Sequence, residues 1–302
     1  MKWIKLGLIF SPASTDEKLI SHAANPLPIH LEKDIYRFFY SGRDCKNRSS
    51  VGFVDIDILT KEIIYTKNEP VIKHGSPESF YSHGISIGDV YQSQGKDYIL
   101  FMGWKITGDE HWRGDIGRLE LTNKENLKST SDNPFISVSD TDPVSLSYPA
   151  VYKDNNSFKM WYGSTLTWDS GNGEMLHIIN HASSHNGESW DLKGLAVPFC
   201  LGNAQAFSRP TVFVCDKKIY HMWFSYRGKP PNKYRIGYAK SFDGIAWLLE
   251  NESSGIDVSE KGWDSDMICY PYVFKHKDKI YMTYNGNGHG KTGFGLAMLE
   301  CW

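Results

Sequence analysis

Tyr148-Pro149-Ala150-Val151 returns twice along the chain, as Arg209-Pro210-Thr211-Val212 and as Tyr270-Pro271-Tyr272-Val273, with the prolines 61 residues apart both times. Pro26, in Asn25-Pro26-Leu27, and Gly88, in Ile87-Gly88-Asp89, fall within one residue of the same grid. A period this long, held across the whole sequence, marks a repeat architecture in which each unit buries its faces against its neighbours.

Nine or ten residues after each grid point an aromatic opens a short apolar run: Tyr36 to Tyr40, Tyr98 to Met102, Phe158 to Tyr162, Tyr220 to Phe224 and Tyr281 to Tyr284. Such runs favour strand. A further run follows in each unit, four of them carrying a glycine: Gly52, Gly117, Gly237 and Gly295. Each unit therefore reads as a four-stranded antiparallel meander with its fourth strand on the rim. Five of them around an axis make an all-β, five-bladed β-propeller. The expected organisation is one domain over 1–302, with blades near 14–74, 75–137, 138–199, 200–260 and 261–302. An early strand from Leu6 to Phe10 is placed to complete the last blade.

Composition narrows the functional classes. Acidic and basic residues nearly cancel, for a formal charge of -2, which gives no support to nonspecific nucleic-acid binding. No run approaches the length of a membrane-spanning helix, and the apolar stretch ending at Ser11-Pro12 is too short for a signal peptide. Five cysteines without a CxxC pair read as reduced thiols of a cytoplasmic protein. No metal or cofactor motif stands out: the glycine-rich stretch Tyr284 to Gly293 does not match a nucleotide loop.

The polar residues worth weighing lie where hairpins and inner strands would open on the funnel. Arg43 and Asp44 close the second strand of the first unit, with Arg48 four residues on. A guanidinium fork suits a carboxylate or phosphate, and Asp44 is either a base or the partner that holds an arginine. Asn25 stands at the first grid point, as a ligand contact or a turn residue. Glu78 and His83 precede the second inner strand, and either can exchange protons if suitably tuned. Trp104 occupies the register of Arg43 and is a candidate pocket wall. It leads into a polar insertion with Asp109, Glu110, His111, Trp112 and Arg113.

Asp142 lies ahead of the third inner strand and Tyr148 on its grid point, while Trp168 stands in the next hairpin, placed to stack on a sugar ring. Arg209 takes the register that Tyr148 and Tyr270 hold. An arginine there is costly unless it meets solvent, an acid or a ligand, so it is expected to reach into the funnel near Asp44 or Asp266. Arg227 aligns roughly with Arg43. Asp266 precedes the fifth inner strand, and Asn285 and Asn287 follow its second strand. The shared segments Ser183-Ser184-His185-Asn186-Gly187-Glu188-Ser189-Trp190 and Ser241-Phe242-Asp243-Gly244-Ile245-Ala246-Trp247, the former with one extra residue after its first Ser, read as architectural turns.

The fivefold pattern, Asn25-Pro26, the Ser-x-Asp-Gly-x-x-Trp rim and Tyr284-Asn285-Gly286-Asn287 together resemble the five-bladed propeller glycosidase superfamily, which includes arabinanases, xylosidases, invertases and mannoside phosphorylases. The resemblance covers nearly the whole chain. It implies a glycoside hydrolase-like enzyme cleaving a glycosidic bond by carboxylate acid/base chemistry. The family's carboxylate pair does not carry over by motif; the residues themselves leave Asp44, Glu78, Asp142 and Asp266 as candidate carboxylates, and the arginines make the expected substrate an acidic or otherwise substituted glycan. The chain departs from the pattern: no acid neighbours Asn25, Cys45 follows Arg43-Asp44 where invertases have proline, and Ser82-His83-Gly84 stands where the phosphorylases have Asp-Pro-Arg. Two alternatives stay open: a non-catalytic carbohydrate-binding scaffold, and a phosphate-dependent phosphorylase. The four arginines Arg43, Arg48, Arg209 and Arg227 point to a carbohydrate partner bearing a carboxylate or phosphate.

Overall fold

The computed structural model describes residues 1–12, 14–108, 111–155, 157–215 and 218–302, and the expectations placed on Asp109 and Glu110 lie outside them. The fold is all-β. After β1 (Lys2–Phe10) come four meanders in chain order. The first is β2 (Ser21–Glu32), β3 (Ile35–Arg43), β4 (Ser49–Asp57) and β5 (Ile63–Thr66), and the second is β6 (Gly84–Ser93), β7 (Lys96–Ile106), β8 (Trp112–Thr122) and β9 (Asn126–Ser129). The third is β10 (Ser145–Asp154), β11 (Ser157–Thr167), β12 (Leu176–Ser184) and β13 (Asp191–Leu195). The fourth is β14 (Ala206–Val214), β15 (Tyr220–Arg227), β16 (Arg235–Ser241) and β17 (Leu248–Leu249). A last sheet holds β18 (Cys269–His276), β19 (Lys279–Asn285) and β20 (Phe294–Cys301), and β1 pairs antiparallel with β20 as its fourth strand. Single parallel bridges, Ser49 to Gly84 and His177 to Ala206, merge the first and second meanders, and the third and fourth, into two eight-stranded sheets.

The first strands of the meanders, β2, β6, β10, β14 and β18, each touch the next, and β18 touches β2. The apolar side chains fill the gaps between sheets. Phe39, Phe53, Ile85 and Phe101 join the first two, and Leu100, Ile116, Met160 and Tyr162 the second and third. Trp161, Ile179, Phe207 and Phe224 join the third and fourth, and Trp223, Ile236, Met282 and Tyr284 the fourth and last. Phe294, Leu296, Phe38 and Tyr40 bury the last sheet against the first. Each fully buried aromatic is worth roughly 1.5–3 kcal/mol, which is why this chain spends its aromatics at the same offset in every unit.

The 61-residue grid has a physical cause. In every inner strand the ladder skips at the grid point: between Ala24 and Leu27, Ile87 and Val90, Ser147 and Ala150, Ser208 and Thr211, and Cys269 and Tyr272. Four of the residues inside these bulges are non-glycine with positive φ: Asn25 at 57°, Tyr148 at 38°, Arg209 at 48° and Tyr270 at 55°. A bulge turns a side chain and a peptide group out of the sheet plane, and the proline that follows needs no ladder donor. Amides at the bulges that the ladder leaves unpaired are met from the neighbouring meander. Ser41 Oγ accepts from Ile87 N at 3.1 Å, Ser225 Oγ from Tyr270 N at 2.7 Å and Asn285 Oδ1 from Asn25 N at 2.8 Å.

Arg209 differs from the sequence expectation. Its side chain does not reach Asp44 or Asp266 but is buried among the bulges, with 2% of its surface exposed. The guanidinium donates to Tyr270 O at 2.9 Å, Pro271 O at 3.3 Å, Asn25 O at 3.2 Å, Pro26 O at 3.1 Å and Gly88 O at 3.4 Å. One planar fork thus satisfies carbonyls that three other first strands, β18, β2 and β6, turn toward it. Burial lowers its pKa to about 10, so it stays charged at neutral pH. Buried Asp89 lies nearby, held by Tyr272 Oη at 2.7 Å and Val151 N at 2.9 Å, and burial pushes its carboxyl above the ordinary value.

The rim turns behave as architecture. Asp243 Oδ1 accepts from Ile245 N and Ala246 N, Asn186 Oδ1 accepts from Glu188 N and Ser189 N, and Trp161 Nε1 donates to Gly244 O. No helix among the described residues is long and apolar enough to cross a membrane.

Candidate functional site

Beside the bulges lies a cavity of about 230 Å³. Its floor is made by Ser86, Ser147 and Ser208, which stand just ahead of the skipped positions of three inner strands. Its walls are aromatic: Trp104 from β7, Trp112 from β8, Tyr148 from β10, Tyr270 from β18, with Phe207 and Tyr234. Two arginines face it from the ends of corresponding strands, Arg43 from β3 and Arg227 from β15, and two histidines, His177 and His289. Among the described residues that line it there is no carboxylate.

Of the residues singled out in the sequence, Arg43, Trp104, Tyr148, Arg227 and Tyr270 meet in this cavity. The positive φ at Tyr148 and Tyr270 turns both rings the same way, so that they lie 5.5 Å apart. Trp104 is fixed by a 3.0 Å bond from its indole nitrogen to Ser49 Oγ, and His83 lies beside it rather than in the cavity, ring centres 5.9 Å apart. Trp168 is outside the lining. It stacks on His111 at 4.8 Å and meets Trp112 edge-on at 4.8 Å, so it buttresses a wall rather than forming one.

The other expectations resolve into scaffold. Asp44 is 7% exposed and saturated: its oxygens accept from Lys46 N, Arg48 N and Arg48 Nε, all within 2.9 Å. Burial alone would raise the Asp44 carboxyl, but these bonds hold it below its ordinary value. Arg48 is thereby a clamp on its own hairpin. Asp142 is fully buried, accepting from Tyr162 Oη at 3.0 Å and Asn180 Nδ2 at 2.9 Å. Asp264, two periods later, accepts from Tyr284 Oη at the same 3.0 Å, which makes the Asp142–Tyr162 pair a repeated structural device.

Glu78 is exposed on its loop and outside the cavity lining. Asn25 is buried at the bulge and serves Arg209 with its carbonyl. Asn285 is fully buried, donating to Ala23 O at 2.7 Å and Gly293 O at 2.9 Å. Asn287 ties the loop before β18 through Asp266 N at 2.8 Å and Met267 N at 3.2 Å.

Sequence reasoning missed Glu174 and His177 as site residues. Glu174 closes on Arg227 with contacts of 2.6 Å to Nε and 2.9 Å to the terminal nitrogen, and its own Oε1 also accepts from Met175 N at 3.0 Å. The guanidinium lies 4.7 Å from the Tyr234 ring centre. His177 bridges Ser147 Oγ at 2.7 Å and Thr165 Oγ1 at 2.6 Å.

Burial, helped by Arg227, pushes the His177 pKa down to about 3. Burial and the nearby arginines Arg227 and Arg43 bring His289 to about 4. His22, behind Arg43, is lowered to about 4 by burial and then by that arginine. All three imidazoles are neutral at physiological pH, so the cavity's fixed positive charges are its two arginines. Burial also keeps the Tyr270 and Tyr234 hydroxyls protonated, the latter pushed up to about 12.

An outer lobe adjoins the cavity through Arg227, Tyr234 and His289, and carries Glu174, Lys233 and Asp266. Asp266 is exposed and stands 3.8 Å from Lys233.

No model of a known protein family matches the chain. Across 302 aligned residues it is 39% identical to each of two Mycobacterium tuberculosis proteins, "Uncharacterized protein MT1551" and "Uncharacterized protein Rv1502", over 99% of this chain and 100% of theirs. Among solved structures it resembles one titled "Glycoside hydrolase" (TM-score 0.77, 16% identity, 99% of this chain and 92% of that one). It also resembles a glycoside hydrolase, so described provisionally, from Bacteroides ovatus (TM-score 0.72, 13% identity, 100% and 97%) and an endo-arabinase from Bacteroides thetaiotaomicron (TM-score 0.64, 13% identity, 97% and 98%). At these identities the likeness establishes a shared fold.

Proposed function

The chain belongs to the family of the Mycobacterium tuberculosis proteins MT1551 and Rv1502, and we propose that it is a single-domain, five-bladed propeller of the glycoside hydrolase type that binds an anionic sugar in its central cavity. The observation that carries this reading is the cavity lining: two arginines among aromatic walls, with no carboxylate among the described lining residues. Aromatic faces match the apolar faces of pyranose rings, and a few placed polar groups fix orientation. A guanidinium presents paired donors to a carboxylate or phosphate. Tyr270 and Tyr234, as protonated hydroxyls, add neutral donors that suit either an anion or a sugar hydroxyl.

Isothermal titration of the intact protein with matched acidic and neutral glycosides, at fixed salt, tests this. The acidic member of each pair is expected to bind at least about tenfold more tightly, on the scale of one charge-assisted hydrogen bond. Equal affinities would defeat the proposal.

Cleavage of a glycosidic bond is a second reading, favoured by one observation: Glu174 and Asp266 both line the adjoining lobe. Acid/base hydrolysis needs two carboxylates flanking the scissile bond. A sugar seated in the cavity would present its linkage toward that lobe, and Glu174→Gln and Asp266→Asn should then each abolish turnover while binding persists. Unchanged hydrolysis in both variants removes these two residues from the chemistry.

A further inference from the structure

We propose that the cavity is built for one negative charge, a sugar carboxylate, and selects against a phosphate dianion, because Glu174 neutralises Arg227 and leaves Arg43 as the single uncompensated cation of the lining. This rests on the reading that the cavity binds an anionic sugar and sharpens it.

The two arginines occupy similar strand ends but have different surroundings. Arg227 is locked in a paired contact with Glu174, at 2.6 and 2.9 Å, and Glu174 is itself anchored by Met175 N and only 6% exposed. That pair contributes donors and shape but almost no net charge. Arg43 donates to the neutral Asn47 Oδ1 at 2.6 Å and has no ion-pair partner among the described residues.

The charged and titratable groups facing the site add nothing to this balance near neutral pH. His22, His177 and His289 are neutral there, and the Lys233 charge is met by Asp266 at 3.8 Å. Lys291 is exposed and outside the lining. A carboxylate entering beside Arg43 therefore forms one neutral pair. A phosphate dianion brings a second charge into a partly desolvated cavity, with the Glu174 carboxylate close to the only other guanidinium of the described lining, and that charge goes uncompensated.

The test is calorimetry with methyl glucoside, methyl glucuronide and glucose-6-phosphate on the wild-type protein and on Glu174→Gln, with the melting temperature of each preparation recorded. At about pH 8, where the phosphate is dianionic, the uronide should bind at least about tenfold tighter than the phosphate. At about pH 5 the phosphate becomes monoanionic and the gap should close, since both histidines of the lining stay neutral across that range.

Glu174→Gln frees Arg227, so phosphate affinity at about pH 8 should rise roughly tenfold or more while uronide affinity changes less. Phosphate binding as tightly as the uronide in the wild-type protein overturns the single-charge inference and leaves the anionic-sugar reading standing. A neutral glucoside that binds as well as the uronide, or no binding of either anion, overturns both. If Glu174→Gln unfolds, the wild-type pH comparison decides alone.

Discussion

Replacing Arg209 with methionine keeps the aliphatic stem and removes the guanidinium on which the inner strands converge. Five carbonyls lose their donor: those of Tyr270, Pro271, Asn25, Pro26 and Gly88, at 2.9 to 3.4 Å. A stranded buried acceptor costs about 1–3 kcal/mol when nothing replaces its partner. The longer contacts here are weak and carbonyls tolerate partial satisfaction, so the full sum is not expected. Weighting the contacts by length leaves the equivalent of about two fully stranded acceptors, or about 3–5 kcal/mol. We take that range. With roughly 2.1 cal/mol/K of unfolding entropy per residue, a chain of 302 residues should melt about 5–8 °C lower. Near-ultraviolet circular dichroism reads this directly, because Trp161 and Trp223 are fully buried between sheets. A methionine variant within about 1 kcal/mol of the parent, yet deficient in glycan binding, would refute the structural role and return Arg209 to the ligand.

Arg43→Met should do the opposite: anion affinity down by about ten- to a hundredfold, the worth of a charge-assisted bond, with stability within about 0.5 kcal/mol because the side chain has one partner. Calorimetry and melting on one preparation separate the two effects. Asn285→Ala removes bonds to Asn25 N, Ala23 O and Gly293 O where the last sheet meets the first. It should cost about 1–3 kcal/mol in urea unfolding without changing the charge preference of the site. Buried His177 and half-buried His22 and His289 set an acid limit. Their folded pKa values, about 4 for His22 and His289 and about 3 for His177, lie below the ordinary value of 6.5. Their stabilising effect is complete above 6.5 and is lost as pH falls toward 4, where the unfolded chain takes up protons that the folded one refuses. Unfolding free energies from urea titrations at graded pH should fall by up to about 1.4 kcal/mol per pH unit for each such histidine; a flat profile would show that the imidazoles charge freely in the folded state.

How much of the fold and the site is legible in the sequence follows from what each feature depends on. The repeat is visible because a bulge followed by proline leaves a local signature, and because each unit spends aromatics at one offset. The Asp142–Tyr162 and Asp264–Tyr284 pairs are equally available: both are 20 residues apart and stand two periods from each other, so the spacing alone argues for architecture. Arg209 is conspicuous, but its partners are main-chain carbonyls, which carry no residue identity. A reading that weighs only side chains sends such a charge to solvent or ligand. Glu174 and Arg227 lie 53 residues apart on different meanders, and no spacing rule joins them. Arg43 and Arg227 look alike by register, and only the contact with Glu174 separates them.

A crystal structure of the wild-type protein soaked with methyl glucuronide shows where the anion binds. The sugar ring should lie between the Trp104 and Tyr270 walls, with its carboxylate within hydrogen-bond distance of Arg43 and the Arg227–Glu174 pair intact. A ligand bound outside this cavity, or seated in it with the carboxylate turned away from Arg43, would contradict this placement.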